Sequence, residues 1–152
     1  MTIEIGQVAP DFELKDHGGQ LVRLSDFRGR QPVALVFYPF AFSGICTGEL
    51  CEIRDNIAVF ARGDVQVLGV SCDPMWSLRA YAEAQGYPFP LLSDFWPHGA
   101  VAQAYGVFDE QAGFAIRGTF LIDADGVVRW SVVNGPGQAR PLAAYTEAVA
   151  VL

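Results

Sequence analysis

The chain has 152 residues, 51% of them hydrophobic, and a net charge of −7 from 17 acidic against 10 basic side chains. A chain of this length can bury about 70% of its unfolded surface in one core, so residues 1–152 are read as a single domain. Lys15 is the sole lysine and the arginines are scattered, leaving no basic stripe to neutralise phosphates; nucleic acid and anionic membranes are excluded as partners.

No apolar stretch reaches the roughly 20 residues that cross a bilayer, and the opening Met-Thr-Ile-Glu-Ile-Gly lacks the charged and apolar regions of a signal peptide. A cytoplasmic location is expected. Cys46, Cys51 and Cys72 are an odd number and read as reduced thiols. His17 and His98 lie far from them without paired spacing, so no metal site is expected.

In chain order, Asp11–Leu14 and Gln20–Leu24 flank Gly18-Gly19 and predict a short hairpin. Val33–Tyr38 is almost wholly apolar, as in a central strand buried on both faces. Ile45, Leu50, Ile53, Ile57 and Phe60 then recur near helical spacing. Val65–Ser71 is a second buried strand, followed by Asp73-Pro74 and a helical pattern through Trp76, Ala80 and Ala84 that ends near Gly86. This strand, helix, strand, helix order implies right-handed crossovers and a parallel core. Ala100–Ala104 is helical, with His98 just before it in a capping or surface position. Phe120–Asp123 and Val127–Val132 flank the turn Ala-Asp-Gly and predict an antiparallel hairpin, and Pro141–Leu152 reads as a closing helix. The fold class is α/β, with a central mixed sheet flanked by helices and an N-terminal β-hairpin extension.

Cys46 falls where the first core strand gives way to a helix. The first turn of a helix carries unpaired N–H groups and about half a unit of positive charge, which favours thiolate over thiol. Ser43 stands three residues upstream and Pro39, which stops the strand, four before that. Ser43 reads equally as a helix N-cap.

The pattern Pxxx(S/T)xxC formed by Pro39, Ser43 and Cys46 resembles the signature of the peroxiredoxins, thiol peroxidases on a thioredoxin-like scaffold. The segments Gly6–Leu14, Gly69–Ser71, Pro90–Asp94, Ala104–Val107 and Arg117–Asp123 resemble peroxiredoxin segments in family order, across nearly the whole chain. Phe95–Val101, together with Glu49, is most similar to the AhpE subgroup, which usually relies on one catalytic cysteine.

The resemblance implies a thiol-dependent peroxidase acting without a cofactor on hydrogen peroxide, organic hydroperoxides or peroxynitrite. It implies that Cys46 is the peroxidatic cysteine, that Arg117 holds the thiolate and a peroxide oxygen, that Ser43 binds peroxide and that Pro39 shields the pocket. Glu49 is implied to order this network, although a carboxylate near a helix start is also favoured by the dipole alone. Tyr38, Phe40 and Phe42 read as packing and pocket wall, and Trp96 and His98 as structural. A homodimer is implied, with a thioredoxin-like, glutaredoxin-like or low-molecular-weight thiol as reductant.

Cys51 departs from the one-cysteine pattern. Its C-x4-C spacing to Cys46 resembles the PrxQ or bacterioferritin comigratory protein subgroup, where the second cysteine resolves the first. Five residues along an intact helix separate Cα atoms by nearly 9 Å, against a limit of about 7 Å for a disulfide, so resolution requires the helix to unwind. Two readings stand: Cys51 resolves, or an external thiol does and Cys51 packs on the helix face. Cys72 reads as packing before accessory thiol. A peroxide-responsive redox sensor or thiol-regulated binding module is the competing function, marked by oxidation without turnover. The missing CxxC argues against a general disulfide oxidoreductase.

Overall fold

The computed structural model describes residues 3–134, 139–150 and 152; Met1, Thr2 and Val151 of the segments read above lie outside it. In chain order the strands and helices are β1 (Glu13–Asp16), β2 (Leu21–Arg23), β3 (Val33–Phe37), α1 (Gly44–Asp55), α2 (Ala58–Ala61), β4 (Gln66–Ser71), α3 (Met75–Gln85), β5 (Leu91–Ser93), α4 (Ala100–Ala104), β6 (Phe108–Asp109), β7 (Phe114–Ala115), β8 (Arg117–Ile122), β9 (Val128–Asn134) and α5 (Leu142–Ala150). Seven strands form one sheet in the order β2-β1-β5-β4-β3-β8-β9, while β6 and β7 pair separately. β3, β4 and β5 are parallel; β8 runs antiparallel beside β3, and β9 beside β8. The predicted parallel core and both predicted hairpins are present.

Alternation along β3 explains why its five residues are all apolar. Ala34 and Val36 enter one core with Leu50, Leu78 and Tyr145, while Val33, Leu35 and Phe37 enter the other with Val101, Tyr105 and Phe120. Successive side chains of a strand point to opposite faces, and both faces are covered here. α1, α3 and α5 cover the first face; α4 and the segment around Phe12 and Leu14 cover the second. α4 is held at its start by Asp94, whose buried carboxylate accepts the Val101 and Ala102 N–H groups at 3.1 and 2.9 Å.

Two local expectations are corrected. The helical spacing over 45–60 is not one helix: α1 ends at Asp55, and Asn56 leaves helical geometry (φ −124°, ψ 30°) while its side-chain amide donates to the Glu52 carbonyl. Asparagine competes with the helix by bonding nearby backbone, and the break turns Phe60 into the core. In α3 the stripe Trp76, Ala80, Ala84 faces solvent, and Leu78, Tyr81 and Ala82 are buried instead. Trp76 is 68% exposed, with the Arg79 guanidinium 4.3 Å from its ring centre. The helix ends at Gly86 as expected, where φ is +65°. Among the described residues no helix is long and apolar enough to cross a membrane.

Candidate active site

β3 stops because Pro39 has no N–H to offer; the last ladder bond beyond the strand runs from the Tyr38 N–H to the Val70 carbonyl at 3.0 Å. The following loop is tied down by Asp73, which accepts the Ala41 N–H at 2.9 Å and the Ser71 hydroxyl at 2.6 Å. Phe42 adopts φ +67°, a conformation that costs a non-glycine residue about 1–2 kcal/mol, and its ring packs 4.8 Å from that of Tyr81. Strain of this kind is characteristic of functional loops.

Ser43 stands at the N-cap of α1 but its side chain makes no capping bond; its Oγ is buried and without a hydrogen-bond partner. The first helical bond runs from the Thr47 N–H to the Ser43 carbonyl at 2.9 Å, which leaves Gly44, Ile45 and Cys46 in the turn whose N–H groups lack an intrahelical acceptor. Cys46 is fully buried in that turn. Pro39, Ser43, Gly44, Ile45 and Arg117 line one open pocket, and Phe40 and Phe114, 5.0 Å apart, complete its wall.

Arg117 reaches this pocket because β8 is antiparallel to β3: Gly118 pairs with Phe37, so Arg117 lies at the carboxyl end of β3 where α1 begins. Its Nη1 donates to Glu49 Oε1 at 2.5 Å. Glu49 projects from the second turn of α1, and not the first, into the protein; its side chain is 4% exposed. It also receives three bonds from Arg140: the backbone N–H and Nε to Oε2 at 2.6 and 2.9 Å, and Nη2 to Oε1 at 3.1 Å. The remaining Arg140 donor, Nη1, bonds the Phe37 carbonyl at 2.8 Å and Thr119 Oγ1 at 3.0 Å. Burial opposes ionisation of Glu49, but the hydrogen bonds and charge of Arg140, then the charge of Arg117, outweigh it and hold the carboxyl below its ordinary value. Two guanidiniums and one carboxylate leave this buried cluster with a net charge of +1.

Residues 5–131 match the AhpC/TSA family. The chain belongs to that family. Alkyl hydroperoxide reductase E of Mycobacterium tuberculosis is 49% identical over 150 residues, covering 99% of this chain and 98% of its own. Peroxiredoxin Bcp of Bacillus subtilis is 40% identical over 142 residues, 88% of either chain. The crystal structure of peroxidoxin BcpB from Mycobacterium tuberculosis matches with a TM-score of 0.88 at 32% identity, over 99% of this chain and 98% of that one. The protein is a peroxiredoxin of thioredoxin-like fold, a thiol-dependent peroxidase that takes a peroxide as substrate and a thiol as reductant.

Within this peroxiredoxin the other expected residues are spread out. Cys51 lies half-buried on another face of α1, donating to Gln85 Oε1 at 3.4 Å with the Tyr87 hydroxyl 3.7 Å away. Cys72 is buried beyond β4 beside Asp94 and Ala115; burial, then the Asp94 charge, push its thiol up to about 12. Tyr38 is fully buried, Phe40 and Phe42 are about half exposed, and Trp96 is 80% exposed. His98 ties its loop to the β6–β7 turn, Nε2 lying 2.7 Å from the Gly113 carbonyl. Sequence reasoning missed Arg140, because a lone arginine before a proline carries no local sign of burial.

Proposed function

We propose that Cys46 is the peroxidatic cysteine and that Arg117, Ser43 and Pro39 form its catalytic pocket, with Glu49 and Arg140 as positioning residues. The observation that carries this reading is a pocket lined by Ser43, whose buried hydroxyl has no partner, by the buried Arg117 and by Gly44 and Ile45 of the first turn of α1, the turn in which the buried Cys46 follows directly. A buried polar atom left unpaired costs about 1–3 kcal/mol, so an orphan Oγ beside a nucleophile is best explained by a ligand that pairs with it.

The Cys46 thiolate attacks the terminal peroxide oxygen; the S–O bond forms as the O–O bond breaks, sulfur loses two electrons, and the departing hydroxide or alkoxide takes up from solvent a proton equivalent to the one the thiol gave up, leaving as water or an alcohol. Negative charge moves from sulfur to the leaving oxygen, and the Arg117 guanidinium and the free N–H groups of the first turn are donors preorganised for it. Arginine suits the position because it stays protonated and presents several donors in one plane. Pro39 adds no donor and keeps water from the sulfur. The aromatic pair Phe40 and Phe114 favours organic hydroperoxides alongside hydrogen peroxide.

Cys46 is left as a sulfenic acid, which we assign to Cys51 for resolution after opening of α1. A second reading, in which a thioredoxin-like, glutaredoxin-like or low-molecular-weight thiol attacks directly, is favoured by the placement of Cys51 on a different face of an intact helix. The cytoplasm is the proposed site of action. A homodimer is proposed as well, since Trp76, Phe95 and Trp96 are all exposed along one groove, an apolar surface unusual for a monomer; light scattering showing a monomer at working concentration would remove it. The deciding experiment is intact mass after one equivalent of hydrogen peroxide. Cys46→Ser should abolish peroxide consumption, and oxidation elsewhere with Cys46 untouched would overturn the assignment.

A further inference from the structure

We propose that a polar seam between α1 and the end of α3 holds Cys51 away from Cys46 and sets the rate at which the two form a disulfide. The inference rests on the reading of Cys51 as the resolving thiol. Thr47, Cys51 and Arg54 recur at intervals of four and three along α1 and so share one stripe of the helix. All three are engaged by the same short stretch of chain. Thr47 Oγ1 and the Tyr81 hydroxyl are 2.9 Å apart, the Cys51 thiol donates to Gln85 Oε1 at 3.4 Å with the Tyr87 hydroxyl 3.7 Å away, and Arg54 Nη1 donates to the Gln85 carbonyl at 2.5 Å. The rings of Tyr81 and Tyr87 meet edge-on at 5.2 Å, which packs the two hydroxyl-bearing side chains of the seam against each other.

A second observation comes from inside the helix. Gly44 and Gly48 lie in the first two turns of α1, neither has a positive φ, and a Cβ added at either would meet nothing within 4 Å. Neither backbone geometry nor packing calls for glycine there. Each glycine nonetheless lowers the local helix equilibrium about fivefold relative to alanine. The segment carrying both thiols is therefore weak in its own right and held from outside, by contacts that fall on the stripe bearing Cys51. An intact helix keeps the two Cα atoms about 9 Å apart, so the seam must release before the sulfurs meet. Once it has, the Cys51 sulfur attacks the Cys46 sulfenic sulfur, the S–S bond forms, the S–O bond breaks, and the hydroxide takes the Cys51 proton to leave as water. The peroxide already consumed is the oxidant.

The test uses variants of opposite expected sign, each given one equivalent of hydrogen peroxide, with sulfenic acid and disulfide followed by rapid quench and intact mass. Thr47→Val and Arg54→Met should each speed disulfide formation about fivefold, the effect of one lost hydrogen bond. Gly48→Ala, which adds a methyl group in open space, should slow it about fivefold while raising thermal stability. The rate of sulfenic acid formation should not change, Thr47→Ser should restore the original disulfide rate, and hydrogen exchange at residues 47–51 should move with it. Disulfide rates that are unaffected, or that all shift in one direction, overturn the proposal. Oxidation of Cys46 with no disulfide in any variant overturns it together with the resolving role of Cys51 and leaves the assignment of Cys46 intact; absence of oxidation at Cys46 is the separate failure of that assignment.

Discussion

Replacing Glu49 with glutamine tests the buried charge cluster while keeping its shape. The carboxylate accepts four hydrogen bonds, one from Arg117 and three from Arg140, and all three side chains are at least nine-tenths buried. In Glu49→Gln the amide oxygen can still accept, but its NH2 faces donors, and the buried guanidiniums of Arg117 and Arg140 lose the carboxylate charge they share. Breaking a buried pair by removing one partner costs about 3–5 kcal/mol. At about 2–4 °C per kcal/mol for a domain of this size, the melting temperature should fall by roughly 6–20 °C. The pH dependence separates charge from packing. The folded-state pKa of Glu49 lies below its unfolded value, so its contribution is fully present above the unfolded carboxylate pKa and is lost as pH falls through the folded one. Urea unfolding of the reduced protein should therefore show a large gap between the original and Glu49→Gln at pH 7 that narrows below about pH 4. A gap under about 1 kcal/mol at pH 7, or one that does not change with acid, would refute the reasoning.

Ser43→Ala should not lower stability and should raise it by up to about 1–3 kcal/mol, because it removes a buried hydroxyl that makes no bond in the fold, and it should lower the second-order rate with peroxide by stopped flow; a loss of stability would show a structural hydroxyl instead. Arg117→Lys keeps the charge but loses the planar donors, and the same rate should drop about 100- to 1,000-fold, the usual effect of one lost transition-state donor. A rate within threefold of the original would move the donor role elsewhere. Cys72, with its thiol pushed up to about 12, should resist iodoacetamide at pH 8, with a thiolate fraction of about one in 10,000, and react at once in denaturant. Labelling at the rate of an exposed thiol in the folded protein would contradict its burial.

Much of the architecture is legible in short stretches of the chain, because short-range rules produce it. The run Val33–Phe37 had to be a central strand since every residue is apolar, and Pro39 ends it by lacking a donor. Gly86 and Gly126 mark the end of α3 and the β8–β9 turn through their positive φ. The spacing from Pro39 to Cys46 is likewise local, and it is enough to put the thiol in the first turn of α1. Where local reading failed, another force won. The Trp76, Ala80, Ala84 stripe has helical spacing, yet Leu78 and Tyr81 take the core because the sheet, not the helix, decides which face is covered.

The electrostatics of the site belongs to the tertiary structure alone. Arg117 lies 68 residues from Glu49 and was singled out only by resemblance to a family segment; Arg140 lies 91 residues away and was not singled out at all. An arginine reads as a surface residue until a buried carboxylate is brought to it. That encounter depends on β8 running antiparallel beside β3 and on Arg140 being set against the Phe37 carbonyl and Thr119, and Glu49 turns inward because two distant guanidiniums together outweigh the cost of burying its charge.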